Sequence, residues 1–321
     1  MSLPAILQNL SVPVIGSPLF IISNPDLVIA QCKAGIVGSF PALNARPGPV
    51  LEEWLKRIEG ELGEHTAKHP ERPAAPFAVN QIVHKSNERL LHDMELCVKY
   101  KVPLIITSLG ARADVNMAAH SYGGIVLHDV TNNFYAKKAI EKGADGLIAV
   151  AAGAGGHAGT LNPIALIQEI RAWFNGPLVL SGAIATGRAV LAAQAMGADL
   201  AYIGSAFIAT AEANAQQAYK DMIVNSGAAD IVYSNLFTGI AGNYLRGSIE
   251  KAGLDPDNLE QADASKMDFA KATSGAKAWK DIWGSGQGIG AVHDIVPAAE
   301  LVARLIREYS EAKRALLGQI A

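Results

Sequence analysis

Eight short apolar runs recur along the first two thirds of this 321-residue chain, and helical patterns separate them. Each run is apolar without interruption, which is typical of strands that helices cover on both faces. We place these strands near residues 13–17, 35–39, 77–83, 103–108, 124–128, 146–151, 177–181 and 200–204. This β–α alternation predicts an α/β fold, a (β/α)8 TIM barrel over residues 1–210, with a doubly wound open sheet as the main alternative.

The strand–helix alternation ends near Ala211, and other patterns follow as far as Trp283. Helices are predicted there over residues 213–224, 244–251 and 259–271. Residues 297–317 then carry apolar residues at helical spacing after Pro297, which predicts a final amphipathic helix. We therefore predict a mostly helical lid subdomain over residues 211–283 at the barrel mouth, and a segment 284–321 whose helix packs back on the barrel.

The composition argues against several classes of function. A net charge of −3 gives no basic surface for nucleic acid. The two cysteines, Cys32 and Cys97, show no zinc-ligand spacing and indicate a reducing compartment. Residues 1–25 are uncharged but contain no basic start, and the uncharged run 146–168 contains five glycines, so neither predicts a signal peptide or a membrane span. We expect a cytoplasmic protein with small-molecule partners.

A glycine-rich loop with one histidine follows the sixth predicted strand. It reads Gly-Ala-Gly-Gly-His-Ala-Gly over residues 153–159. Glycine lets the backbone approach a ligand closely, and loops after barrel strands hold the active sites of such folds. The imidazole of His157 could act there as an acid or a base near neutral pH. Taken alone, the loop fits an active site or a plain glycine turn about equally well.

The loops after the seventh and eighth predicted strands share a pattern. Ser181-Gly182-Ala183 and Tyr202-Ile203-Gly204-Ser205 each place a glycine and a hydroxyl group at the end of an apolar strand. In TIM barrels these two loops commonly bind a phosphate through backbone N–H groups. One such turn is weak support, but two in adjacent units predict a phosphate site.

Small or polar residues stand at the ends of all eight predicted strands. They are Ser17, Ser39, Gln81, Ser108, Asp129, Ala151, Gly182 and Gly204. None is a lysine, which argues against a Schiff-base enzyme. Only His128 and Asp129 are metal-binding types side by side, too few for a metal site. A phosphate anchor, an apolar cavity and one histidine suit a bound cofactor that carries the reaction itself.

Taken together, these loops resemble the FMN-dependent nitronate monooxygenase family, formerly called 2-nitropropane dioxygenases. Pro76-Phe77-Ala78-Val79-Asn80 resembles the third-strand motif of that family. The run Trp-Gly-Ser-Gly-Gln-Gly at 283–288 resembles the glycine–glutamine segment before its last helix. Residues 13–20 lie where its first strand passes the flavin. The resemblance covers nearly the whole chain.

The resemblance implies a barrel that binds FMN and oxidises alkyl nitronates, and by extension nitroalkanes, with O2 to a carbonyl compound and nitrite. It makes His157 the catalytic base or the group that orients the substrate. The implied partners are a nitronate and O2, with no nucleic acid, no membrane and no metal; a homodimer stays open. The implied flavin contacts are Pro18, Leu19, Phe20, Asn80, Asp129, Val150, Gly155, Gly156, Ser181, Gly182, Ala183, Tyr202, Gly204 and Ser205.

This sequence departs from the family at the sixth strand. The family usually has a glutamine at the position of Val150 and a glutamate at that of Gly153, so His128 or Asp129 could hold the flavin edge instead. Two other functions also stay open. Related proteins act as NAD(P)H-dependent flavin reductases on quinones or enoyl thioesters, and a phosphate-binding barrel without flavin would use the same glycine turns.

Overall fold

The structure is a computed structural model that describes residues 3–261 and 281–318. The strands of the described residues are β1 (Val14–Gly16), β2 (Gly38–Pro41), β3 (Phe77–Ile82), β4 (Leu104–Ser108), β5 (Ile125–Val130), β6 (Gly146–Val150), β7 (Gly156–His157), β8 (Leu178–Ser181), β9 (Leu200–Ile203), β10 (Ile231–Ser234) and β11 (Gly242–Leu245). Eight of them are parallel and form one sheet in the order β1-β9-β8-β6-β5-β4-β3-β2. Val37 bridges to Ile15 of β1 and closes the ring, so the predicted TIM barrel is confirmed.

Helices surround this ring and follow most of its strands. They are α1 (Pro25–Lys33), α2 (Val50–Lys68), α3 (Leu90–Lys99), α4 (Ala113–His120), α5 (Asn133–Glu141), α6 (Pro163–Arg171), α7 (Gly187–Met196), α8 (Ser205–Ile208), α9 (Gln217–Val224), α10 (Arg246–Lys251) and α11 (Ala298–Gly318). Four of them begin at side-chain caps, since Asn24, Asn132, Asn162 and Thr186 accept hydrogen bonds from the first turn. Within the described residues no helix is long and apolar enough to cross a membrane.

The second strand begins later than the sequence predicts. The prediction was residues 35–39, whereas β2 runs from Gly38 to Pro41. Gly35 has a φ of 93° and turns the chain out of α1, a conformation that glycine adopts without strain. Val37 reaches β1 only through its bridge. The other predicted barrel strands agree with β1, β3, β4, β5, β6, β8 and β9 to within two residues.

A small antiparallel sheet joins the glycine-rich loop to the segment after the barrel. Strand β11 pairs with β10 on one side and with β7, which carries His157, on the other. A Cβ on Gly242 would lie 2.6 Å from the carbonyl oxygen of Gly156, so β11 needs a glycine to approach β7. The sequence predicted a helix from Tyr244, but Tyr244 belongs to β11 and α10 begins at Arg246.

The remaining predictions for this segment are met in part. The helix predicted from Ala213 begins only at Gln217. The helix predicted over residues 259–271 lies mainly within 262–280, outside the described residues. The boundaries of the lid and of the closing segment stay predictions.

The final helix packs against the helices that surround the barrel. Leu301, Val302 and Leu305 of α11 are buried in a core cluster, and α11 lies against α7 and α1. Glu308 accepts a hydrogen bond from the N–H of Gly187 at 2.8 Å. This packing holds the preceding 3-10 turn, Gln287–Ala291, against the loops at the barrel mouth.

Candidate active site

A cavity of about 980 Å³ opens where the barrel strands end. Its volume lies at the upper end of the range for ligand sites, roughly 300–1,000 Å³. The cavity lies at the edge of the barrel where TIM-barrel enzymes bind their substrates. All the residues assigned from the sequence line this one cavity: Pro18, Leu19, Phe20, Asn80, Asp129, Val150, Gly155, Gly156, His157, Ser181, Gly182, Ala183, Tyr202, Gly204 and Ser205.

The first wall of the cavity is the loop after β1. The N–H of Leu19 donates to Ser23 Oγ at 2.9 Å, and the carbonyl of Leu19 accepts from Asn44 Nδ2 at 2.9 Å. The guanidinium of Arg46 lies 5.3 Å from the centre of the Phe20 ring. These contacts fix an apolar surface of Pro18, Leu19 and Phe20 beside the barrel mouth.

The glycine-rich loop is held from behind by the segment before α11. The N–H of Gln287 donates to the carbonyl of Gly153 at 2.9 Å, and the N–H of Gly286 donates to Ser205 Oγ at 2.8 Å. Asn243 Nδ2 of β11 donates to the carbonyl of Ala154 at 2.6 Å. One segment therefore connects the histidine loop to the turn after β9.

The turn after β8 contacts the same loop. The N–H of Ala183, whose φ is 53°, donates to the carbonyl of Gly153 at 3.2 Å. A Cβ on Gly182 would lie 2.9 Å from the carbonyl oxygen of Ala152. Gly182 is thus required for loop packing, and the Ala183 N–H binds protein. Ala183 lines the cavity, and its amide is already used.

His157 lies on β7, and a threonine from the β10–β11 turn holds it. His157 Nε2 is 2.9 Å from Thr238 Oγ1. The Thr238 hydroxyl donates its one proton to the carbonyl of Ile240 at 2.9 Å. Because that proton is used, Nε2 must donate to Thr238, which assigns the Nε2–H tautomer and leaves Nδ1 as the basic nitrogen.

Desolvation keeps the His157 ring neutral. Burial lowers the pKa of the His157 imidazole to about 4, because the charged form of the ring loses its hydration. At neutral pH the ring is therefore a proton acceptor at Nδ1. An anion bound beside it would raise the pKa of the same ring and favour a bound proton.

Polar groups also line the floor of the cavity, in a chain that crosses three strands. Asn80 Nδ2 on β3 donates to the carbonyl of Ile106 at 3.2 Å and to Ser108 Oγ at 2.7 Å. Ser108 Oγ on β4 then donates to Asp129 Oδ2 on β5 at 2.6 Å. The acceptor at Ile106 fixes which end of the Asn80 amide faces Ser108. The sequence pointed to Asn80 and Asp129 but gave Ser108 no role.

Two buried polar atoms on this floor bond to none of the described residues. They are Asp129 Oδ1 and the hydroxyl of Tyr202. Burial raises the pKa of the Asp129 carboxyl to about 7, against the hydrogen bond from Ser108. Burial and the Asp129 charge raise the pKa of Tyr202 well above its ordinary value. Unpaired buried polar atoms are costly, which indicates a bound partner here.

His128, the other residue considered for the flavin edge, also lines the cavity but is already bonded. Its Nδ1 lies 2.5 Å from Thr107 Oγ1. Burial lowers the pKa of His128 to about 4, so the ring is neutral. Asp129 stays a candidate for the flavin edge, because its Oδ1 bonds to none of the described residues. Among the described residues no group of three or more His, Cys, Asp or Glu side chains is arranged to hold a metal ion.

Comparison with known proteins agrees with this geometry. The sequence pattern of the nitronate monooxygenase family matches residues 5–308. The chain belongs to the nitronate monooxygenase family. This family of flavin-dependent oxidoreductases is the one that the loops resembled, so the recognition from sequence is confirmed.

Individual relatives are distant but span the chain. A nitronate monooxygenase of Paraburkholderia phytofirmans is 26% identical, over 95% of this chain and 94% of that protein. The nitroalkane oxidase of Streptomyces ansochromogenes superposes with a TM-score of 0.79 at 23% identity, over 97% and 99% of the two chains. FabK of Thermotoga maritima gives 0.78 at 22%, over 98% and 97%. At such identities the superpositions establish the fold alone.

Proposed function

We propose that this nitronate monooxygenase family member binds FMN and oxidises alkyl nitronates with O2, giving a carbonyl compound and nitrite. The observation that carries the proposal is a neutral imidazole, fixed in one tautomer, in a cavity at the barrel mouth. Nitroalkanes are proposed as further substrates, since a ring with a basic Nδ1 can take a proton from carbon.

The lining of the cavity fits a flavin. The turns of Ser181–Ala183 and Gly204–Ser205 stand where TIM barrels bind phosphate, and the Ser205 hydroxyl keeps a proton to donate because it accepts from Gly286. The unbonded Asp129 Oδ1 and Tyr202 hydroxyl supply hydrogen-bonding partners for a heteroaromatic ring. Bound FMN would supply the electron transfer from the nitronate to O2.

His157 handles the proton and orients the substrate in this proposal. Its neutral Nδ1 accepts the α-proton of a nitroalkane, and the resulting imidazolium donates a hydrogen bond to the nitronate anion. A nitronate that enters directly raises the pKa of the ring and holds a proton at the same atom. Thr238 keeps Nε2 occupied throughout, so the reactive nitrogen does not change.

Anaerobic mixing of the purified protein with propyl nitronate tests the function. We expect a yellow protein whose flavin bands bleach on mixing and return on admission of air. A yellow protein whose flavin bands do not change with nitronate but bleach with NADH or NADPH would instead be assigned to the flavin reductases. A protein that takes up no flavin when soaked in FMN would refute both.

Replacing Thr238 by Val should lower kcat about tenfold, the scale of one lost hydrogen bond. Valine keeps the shape of threonine but cannot accept the proton of His157 Nε2, so the two ring tautomers interconvert. Flavin content should stay unchanged, because Thr238 contacts His157 and Ile240. Thr238→Ser restores the hydroxyl and should restore kcat. Equal turnover in the Val and Ser variants would remove Thr238 from the positioning of His157.

A further inference from the structure

The hydrogen-bond chain on the cavity floor leaves one oxygen of Asp129 for a proton. Ser108 Oγ accepts from Asn80 Nδ2 and has one hydrogen, which it donates to Asp129 Oδ2. Oδ2 is therefore occupied as an acceptor. With Ser108 donating to Oδ2, the oxygen that remains for a proton is Oδ1, which bonds to no described residue.

The surroundings favour the protonated carboxyl group. An ionised Asp129 would have one hydrogen bond and no cation, because none of the described Lys or Arg side chains forms an ion pair with it. A buried carboxylate with so few partners is strongly disfavoured. The other ionisable groups among the described residues that line this cavity are His128 on β5, Tyr202 on β9, His157 on β7, His84 after β3, Tyr219 on α9, and, towards the outer rim, Tyr135, Lys138 and Lys142.

We propose that Asp129 is a proton-linked group that donates Oδ1–H to the flavin and sets how readily the flavin accepts electrons. This inference rests on the flavin binding of the proposed function. Asp129 would replace the glutamine that the family usually has at the position of Val150. Unlike that glutamine, Asp129 can carry a negative charge.

The link between proton and electrons follows from charge. Electrons that arrive from the nitronate add negative charge beside Asp129, which an ionised carboxylate opposes. The carboxylate therefore takes up a proton from water as the flavin is reduced and releases it on reoxidation. Below about pH 7 Asp129 already carries this proton, so flavin reduction is coupled to proton uptake by Asp129 only at higher pH.

The reduction potential of the bound flavin tests the proposal, with Asp129→Asn as the variant. Asparagine imitates the neutral carboxyl group, so the two proteins should agree near about pH 5.5. Near about pH 8.5 the ratio of reduced to oxidised flavin at a fixed potential should be about tenfold lower in the wild type, as one unit of coupled pKa implies. Identical pH dependence in the two proteins would overturn the proposal.

Ser108→Ala supplies a second variant with a different expected result. It removes the hydrogen bond that favours the ionised carboxylate, so the pKa of Asp129 should rise. The pH above which Asp129 lowers the reduction potential, here called the break, should therefore move to higher values. A loss of the break, as in Asp129→Asn, would contradict the assigned chain from Ser108 to Asp129.

An infrared measurement separates this proposal from the proposed function. A protonated carboxyl band should disappear between about pH 5.5 and pH 8.5 in the wild type and be absent in Asp129→Asn, with or without flavin. No band that depends on Asp129 would refute the proton-linked group even in a colourless protein. A potential that depends on Asp129 in a protein that ignores nitronate would refute only the proposed substrate.

Discussion

His157→Asn should retain FMN and lose nitronate turnover by ~100-fold or more, the scale of a positioned acid–base group. Asparagine can still bond to Thr238, but its amide cannot accept the substrate proton that the Nδ1 of the neutral ring accepts. Flavin binding should persist because the turns proposed to bind the phosphate, after β8 and β9, lie outside β7. The measurement is kcat with propyl nitronate in air, divided by the flavin content of the same sample.

A histidine far from the cavity provides the control. His92 is exposed on α3 and does not line the cavity, so His92→Asn should keep full turnover. The pH profile gives a second check. Because burial lowers the pKa of His157 to about 4, the free wild-type enzyme should keep its basic nitrogen down to about pH 5. Full activity in His157→Asn would remove the ring from the mechanism.

The barrel could be predicted from the sequence because its signal is physical and local. Strands such as Gly146–Val150 are apolar throughout and fully buried, as a sheet covered on both faces requires. Strand β2 is the one barrel strand whose start was predicted wrongly. It begins after Val37, which bridges to β1 but does not belong to β2. Val37 is apolar and buried in the same way as Phe40, so its pattern alone cannot assign it to a strand or to a bridge.

The candidate site was predictable only in part. His157, Gly182 and Gly204 follow apolar strands, at the end of the barrel where TIM-barrel enzymes have their active sites. Thr238 has no such signal, since it lies 81 residues from His157 in a turn between two strands that read as irregular sequence. Ser108 was noted as a strand end, but its role depends on Asn80 and Asp129 bonding to it from either side. Partners defined by tertiary contact leave no spacing to detect.

The sheet formed by β7, β10 and β11 changes how the segment after the barrel contributes to the site. The sequence assigned that segment the role of a lid. In the structure, Thr238 and Asn243 of this segment bond to His157 and to the carbonyl of Ala154. The segment therefore holds the histidine loop in place, and this contact does not require any movement.

In the segment before α11, replacing glycine by alanine should have opposite effects at two positions, Gly286 and Gly290. A Cβ on Gly286 would lie 2.6 Å from the carbonyl oxygen of Gly153 and 2.8 Å from the N of Gly155. Both atoms are backbone of the histidine loop and cannot rotate away. Gly286→Ala should therefore displace the loop, lower the free energy of unfolding by roughly 1–3 kcal/mol and reduce flavin occupancy.

Gly290, four residues further on, is exposed, and a Cβ there would meet only the Cα of Gly227 at 3.8 Å, an ordinary contact. Gly290→Ala should leave flavin occupancy unchanged and be neutral or stabilising by up to about 1 kcal/mol, because alanine restricts the unfolded chain. Denaturant unfolding and the flavin absorbance of both variants measure the two effects together. Equal stability and equal flavin content in the two variants would mean that the segment before α11 does not press on the histidine loop.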